Sequence, residues 1–269
     1  LNYFLSLVFW LGVIKAELIA KTLVIAQHRQ TMLVAVVPCY NEELRLSLDS
    51  YLKALDRYPQ LYWCFINDGS TDQTQAILEQ LRQKRPERIT VLQLDKNSGK
   101  GEAVRQGVLY ALDLTESKYI AYFDADLATP IEELYRLYLL IHQGPYKMIM
   151  GIRLFLRGHL IDRSPFRYWI GKGFSKLASL LLGVTFKDTQ CGIKIFKKTE
   201  NLKSHFQEPF VSKWIFDVEI LKRLISDSHY SKDSFFEEPL VSWHEVGGSK
   251  IKWHSFITAF WDLKNIFFK

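Results

Sequence analysis

From Met32 onward, short β-rich runs alternate with amphipathic stretches of helical period. A chain that alternates in this way folds into layers around a largely parallel sheet. The expected strands are LVAVV (33–37), WCFIN (63–67), ITVLQL (89–94), YIAYF (119–123) and KMIMG (147–151). Between them, Leu44, Leu48, Tyr51, Leu52 and Leu55 share one helical face, and Asp72 and Gln75 stand at the spacing of a helix cap and its reciprocal partner. Ala103, Val104, Gly107, Val108, Ala111 and Leu112 make a thin face able to lie close to a sheet, and Pro130 begins another helix. Past Gly151 the rhythm changes to a basic segment, a long apolar helix near 164–182, the turn DTQCG (188–192) and a short strand IKIF (193–196). A helix carrying Trp214, Phe216, Val218, Leu221, Leu224 and Ile225 follows, then FFEEPLVSW and a helical pattern over 252–268. No Pro/Gly/Ser-rich linker divides the chain, so one α/β domain is expected over 32–249, between an apolar segment at 1–31 and an amphipathic helix at 250–269.

Composition narrows the class. With 269 residues, 48% hydrophobic and 24% charged, the chain can bury a sizeable core, which excludes a disordered protein. Lys and Arg number 35 against 29 Asp and Glu, a net charge of +6 that suits an anionic membrane or a phosphorylated ligand. The cations are scattered and form no aromatic-interleaved basic face, so nucleic acid is not an expected partner. Cys39, Cys64 and Cys191 lie far apart, lack metal-ligand spacing and read as reduced thiols. The apolar run at 3–14 falls short of the roughly 20 residues of a membrane-spanning helix and has no signal-peptide flanks. A core helix, an interfacial helix and the remnant of an anchor are all compatible with it.

In a parallel sheet, ligands bind beyond the carboxyl ends of the strands. Four polar clusters fall there, namely PCYNEE, NDGSTD, NSGKG and DAD. Asp124 and Asp126 carry the sharpest signal. Two carboxylates two residues apart at a strand end repel each other unless a cation intervenes, and a hard divalent ion, Mg²⁺ or Mn²⁺, is the natural remedy. Such ions keep positions open for substrate phosphates. Asp68 also follows a strand, where it either accepts hydrogen bonds from a nucleobase edge or caps the turn at Ser70 and Thr71. The first strand does not lead into GxGxxG, which argues against a nicotinamide dehydrogenase and against a Gly-rich pyrophosphorylase loop.

In this order VVPCYNEE, INDGSTDQT, NSGKGEAVRQG, FDADLATP and DTQCGIKIF resemble the nucleotide-sugar transferases of glycosyltransferase family 2, and within it the branch that makes polyprenyl-phosphate sugars. The resemblance implies a GT-A, Rossmann-like α/β fold, with a mostly parallel central sheet and an appended amphipathic helical subregion. It also implies inverting transfer of a hexose from a nucleoside-diphosphate sugar to a polyprenyl (dolichyl or undecaprenyl) phosphate. The DTQCG segment resembles the glucosyl members of the branch, which favours UDP-glucose over GDP-mannose. Position by position, Pro38, Tyr40, Asn41 and Glu42 are implied around base and ribose, Asp68 on the base, Lys100 near the nucleotide, Asp124 at ribose and metal, and Asp126 as principal metal ligand. The mannosyl members carry a glutamine where this chain has Ala128, so His244 is the expected substitute as third ligand. Arg153 matches the branch's phosphate-contacting arginine. Lys172 falls where a second arginine is found, with Arg163 and Arg167 as alternatives. Asp188 is implied as an orienting or weakly basic carboxylate and Gln190 as a donor-sugar contact, while Trp214, Asp217 and Glu219 resemble a segment that closes the site.

A lipid phosphate is already anionic, so it needs positioning and charge compensation more than a strong base. The helix at 166–182 and the aromatic C-terminus, with Lys250, Lys252, Lys264 and Lys269, have the composition of interfacial helices. A peripheral or N-terminally anchored protein on the cytoplasmic face of a membrane is expected. A non-catalytic membrane-binding module is the rival from another class.

Overall fold

The computed structural model describes residues 32–114, 116–247 and 254–268; the segment expected as an N-terminal helix lies outside them. Five strands alternate with helices first: β1 (Met32–Cys39), α1 (Leu48–Arg57), β2 (Leu61–Asn67), α2 (Thr74–Lys84), β3 (Ile89–Gln93), α3 (Lys100–Asp113), β4 (Ser117–Phe123), α4 (Ile131–Gln143) and β5 (Met148–Ile152). The less regular half contains β6 (Leu160–Asp162), α5 (Pro165–Leu182), β7 (Ile193–Lys197), α6 (Ser204–Gln207), α7 (Phe216–Ile225), β8 (Phe235–Pro239), β9 (Ser242–His244) and α8 (His254–Phe268).

Among the described residues the main sheet has seven strands in the order β3-β2-β1-β4-β7-β5-β8. Strands β1 to β4 pair in parallel, β7 runs antiparallel to both β4 and β5, and β5 pairs in parallel with β8. The order reverses between β1 and β4, so their carboxyl ends flank the crevice where such sheets bind ligands. β6 and β9 pair separately.

Alternate strand residues serve two cores, as the period of two requires. Leu33, Ala35, Val37, Trp63 and Phe65 face α1, α2 and α4. Val34, Val36, Cys64, Ile66 and Tyr122 face α3, α7 and α8. The thin face of α3 has its reason here, since a Cβ at Gly107 would overlap Val36 and meet Ile66. All three cysteines are buried and take part in no disulfide among the described residues.

Two local expectations are corrected. Leu44 is 92% exposed because α1 starts only at Leu48, after a Ser47 cap. Asp72 and Gln75 form no reciprocal cap. Asp72 accepts from the Thr74 and Glu43 amides, while the Gln75 side chain bonds Asn67 and Glu79.

Candidate functional site

The loops after β1, β2, β3 and β4 enclose a cavity of about 510 Å³ at the carboxyl edge of the sheet. Its acidic centre follows β4. Asp124 pairs with Lys100 Nζ at 2.5 Å, and Asp126 faces Arg45 Nη1 at 3.6 Å. Each acid thus has a cation of its own. Burial and then the neighbouring Asp124 charge push the Asp126 carboxyl above the usual range. The loop is braced from below by the Tyr51 hydroxyl, which donates to the Ala125 carbonyl at 2.9 Å. Leu127 takes a φ of 55°, unusual for a bulky residue, so the backbone just past Asp126 is strained. Gly192 backs the Asp124 carboxylate so closely that a Cβ there would overlap it.

This arrangement fits a hard divalent ion. The donors are carboxylate oxygens, and the glycine leaves room that a side chain would fill. Two protein ligands would leave most positions to diphosphate and water. The expected third ligand is corrected: the His244 ring bonds Ser242 Oγ at 3.0 Å and only its backbone amide reaches the loop, at the Ala128 carbonyl. No group of three metal-ligating side chains occurs among the described residues.

Pro38, Tyr40, Glu42, Asp68, Lys100, Asp124, Asp126, Arg153, Arg167 and Gln190 all line this cavity. Several of them are engaged in ways the sequence does not disclose. Asp68 accepts from the Ser98 and Gly99 amides at 2.7 and 2.8 Å, so it holds the NSGKG loop in place. Glu42 receives Arg45 Nε and Nη2 at 2.7 and 2.5 Å. Asn41 lies outside the lining; its φ is 50°, and its Oδ1 accepts the Thr71 amide at 2.8 Å, tying the first loop to the second.

On the far side, Arg153 Nε and Nη2 grip Asp188 at 2.7 and 2.9 Å. Burial opposes the charge on Asp188, but the Arg153 guanidinium outweighs it and holds the pKa at about 2. A carboxylate so held is a poor proton acceptor, which corrects the expectation of a weak base and leaves Asp188 to orient Arg153. Arg167 is paired with Glu245 at 2.6 Å. Lys172 lies over the rings of Tyr168 and Trp169, outside the first cavity. Arg163, by contrast, has no carboxylate partner within ion-pair distance among the described residues. Burial and then Arg153 push it down to about 10, still charged at neutral pH.

A second cavity of about 1290 Å³ runs along α5 past Trp169, Leu177, Leu180 and Val184. Arg153, Arg163 and Gly171 line both cavities. Trp214 and Asp217 line the first, whereas Glu219 turns away to pair with Arg223 at 2.7 Å. Sequence reasoning missed Arg45, Tyr51 and Lys194. Only Lys194 left a trace, as a charge inside the apolar run IKIF.

The family model for "Glycosyl transferase family 2" matches residues 34–202. A dolichyl-phosphate beta-glucosyltransferase of Trichomonas vaginalis is 34% identical over 244 residues, covering 86% of this chain and 69% of that one. The human dolichyl-phosphate beta-glucosyltransferase is 33% identical over 238 residues, covering 81% and 69%. Among solved structures, Mycobacterium tuberculosis glucosyl-3-phosphoglycerate synthase superposes with a TM-score of 0.62 at 16% identity, over 88% of this chain and 80% of that one. A crystal of that synthase holding Mn²⁺, UDP and glucosyl-3-phosphoglycerate gives 0.62 at 17% identity, over the same shares of both chains. The structural likeness establishes the GT-A fold, and the family match together with the relatives' identity establishes the lineage: this chain belongs to glycosyltransferase family 2.

Proposed function

We propose that this protein transfers glucose from UDP-glucose to a polyprenyl phosphate, with inversion at the anomeric carbon, on the cytoplasmic face of a membrane. The observation that carries this reading is Arg163, a half-buried guanidinium with no carboxylate partner among the described residues, at the junction of the charge-lined cavity and the cavity along α5. That junction suits an amphiphile with an anionic head, seated beside the donor.

The chemistry follows from the residues. Asp124 and Asp126 would hold Mg²⁺ or Mn²⁺, and the ion when bound neutralises charge on the departing diphosphate. Lys100, the lysine of the NSGKG loop, paired with Asp124, adds a second positive charge on that side. Gln190 is placed to contact the donor sugar. The acceptor phosphate supplies its own anionic oxygen, so a single displacement needs alignment and not proton abstraction. Arg163, with the outer face of Arg153, compensates its charge, while Asp188 holds Arg153 in one orientation where the two cavities meet.

Membrane contact is supported by the outer face of α5, where Phe166, Trp169 and Leu180 are 73%, 66% and 77% exposed beside Lys172 and Lys176. Among the described residues no helix is long and apolar enough to cross a membrane.

The test incubates purified protein with Mn²⁺, a polyprenyl phosphate and a panel of radiolabelled nucleotide sugars. Label entering the organic phase from UDP-glucose alone is the expected result, with a β-linked product by NMR. No transfer from any sugar would refute the acceptor assignment, and an α-linked product would refute inversion.

A further inference from the structure

Lys194 is 0% exposed in β7, among Ile193, Ile195 and Phe196, where an apolar residue would suit the layer better. Its ammonium donates to the Thr189 carbonyl at 3.0 Å, the Cys191 carbonyl at 3.0 Å and Asp217 Oδ1 at 2.5 Å. An ammonium has three donors and no acceptor, so the three partners satisfy it completely. Its charge lies 5.1 Å from the centre of the Tyr122 ring, and the Tyr122 hydroxyl donates to the same Asp217 oxygen. Burial pushes Lys194 down and Asp217 up; the Cys191 and Asp188 charges oppose the first and the Lys100 charge opposes the second.

The two carbonyls flank Gln190. The peptide joining Thr189 to Gln190 is gripped at both ends, its oxygen by Lys194 and its N–H by Asp188 Oδ1 at 3.3 Å. Gln190 Nε2 is buried with no protein partner, an orphan among the described residues that faces a cavity able to supply one.

We propose that Lys194 is a positioning residue: seated beneath the turn at 189–191, it fixes that backbone so that the Gln190 carboxamide is presented to the hexose of the donor. This rests on the glucosyl-transfer reading above. An ordinary hydrophobe at 194 would leave the two carbonyls unpaired and let the peptide rotate, taking Gln190 with it.

The test is a double-mutant cycle on kcat/KM for glucose transfer, with Lys194→Met, Gln190→Ala and the double variant. A residue acting through Gln190 gives non-additive losses. Each single variant is expected to lose about tenfold to a hundredfold, as supporting residues around a site commonly do. The double variant should then stay within about twofold of the worse single one. UDP binding by calorimetry should stay within about twofold of wild type in all three, since the uridine end lies at other loops. Losses that multiply, or a Lys194→Met protein of undiminished turnover, would overturn the proposal. Lys194→Met strands a buried carboxylate; if it does not fold, the same cycle is run in an Asp217→Asn background, where the ion pair is removed as a unit. Failure of the wild-type protein to transfer glucose would overturn the functional reading instead, so the two failures are distinguishable.

Discussion

Four N–H donors converge on the Asp188 carboxylate: the Arg153 amide, Nε and Nη2, and the Gln190 amide. The folded protein therefore binds a proton at Asp188 less readily than the unfolded chain does, with a pKa of about 2. The sign follows. The stabilisation is fully present above the unfolded pKa of about 4 and is lost as pH falls toward 2, an effect on the order of 2 kcal/mol. Asp188→Asn leaves the Arg153 charge buried and should cost about 3 kcal/mol at neutral pH. Urea unfolding of both proteins from pH 7 to pH 2 measures the gap, which should narrow with acidity; a constant gap would show that the ion pair does not govern it. The same residues mark how far single positions can be read. Asp124 and Asp126 stood out in the sequence because an acid pair at a strand end needs compensating charge, but Lys100, expected near the nucleotide, shows its pairing with Asp124 only in the structure. Asp68, Asn41 and Glu42 were assigned to the nucleotide, yet the Asp68 carboxylate and the Asn41 amide oxygen brace neighbouring loops and the Glu42 carboxylate holds Arg45. Sequence gives the side-chain chemistry but not whether ligand or backbone receives it.

Helix α3 shows what element-level patterning does carry. Its small residues were read as a thin face, and the helix indeed lies close enough that Val36 and Ile66 occupy the space a Gly107 side chain would need. Gly107→Ala should gain about 1 kcal/mol in helix propensity. Overpacking against two buried branched side chains costs about 1–3 kcal/mol and decides the sign. A lowered thermal midpoint is expected; a raised one would mean that the helix shifts outward freely. Direction was the part that patterning could not supply. IKIF was read as a strand, but an apolar run carries no polarity, so the antiparallel insertion of β7 between β4 and β5 became visible only through its ladder. That insertion brings Gly192 behind Asp124 and Lys194 beneath Gln190.

The molecule as a whole presents an apolar exterior on one side. At 3.6 residues per turn, Phe166, Trp169 and Leu180 fall on one stripe of α5, with Lys172 and Lys176 along its border. Phe155, 50% exposed, extends the patch by packing on Tyr168 with ring centres 4.7 Å apart. The C-terminal helix, expected as a separate membrane-contacting piece, is instead partly built into the domain. Ala259, Leu263 and Ile266 are buried in the core, Asp262 accepts from Ser212 Oγ at 2.6 Å, and Thr258, Ala259 and Asp262 line the first cavity. Its amphipathic pattern was legible, but not which of two apolar media its face would meet. Trp261 and Phe268 remain exposed on it. If the α5 stripe is the membrane-facing surface, replacing Phe166, Trp169 and Leu180 together by Ser should weaken binding to anionic vesicles by about 3 kcal/mol, near a hundredfold, taking about 1 kcal/mol for each half-inserted side chain. Turnover with a short-chain, water-soluble acceptor should fall much less than vesicle binding, because Phe166 stands outside both cavities and Trp169 and Leu180 line only the one proposed for the lipid chain. Vesicle sedimentation alongside that assay separates the two effects: unaltered sedimentation would remove α5 from the membrane contact, whereas a parallel loss with the soluble acceptor would make the stripe part of the fold.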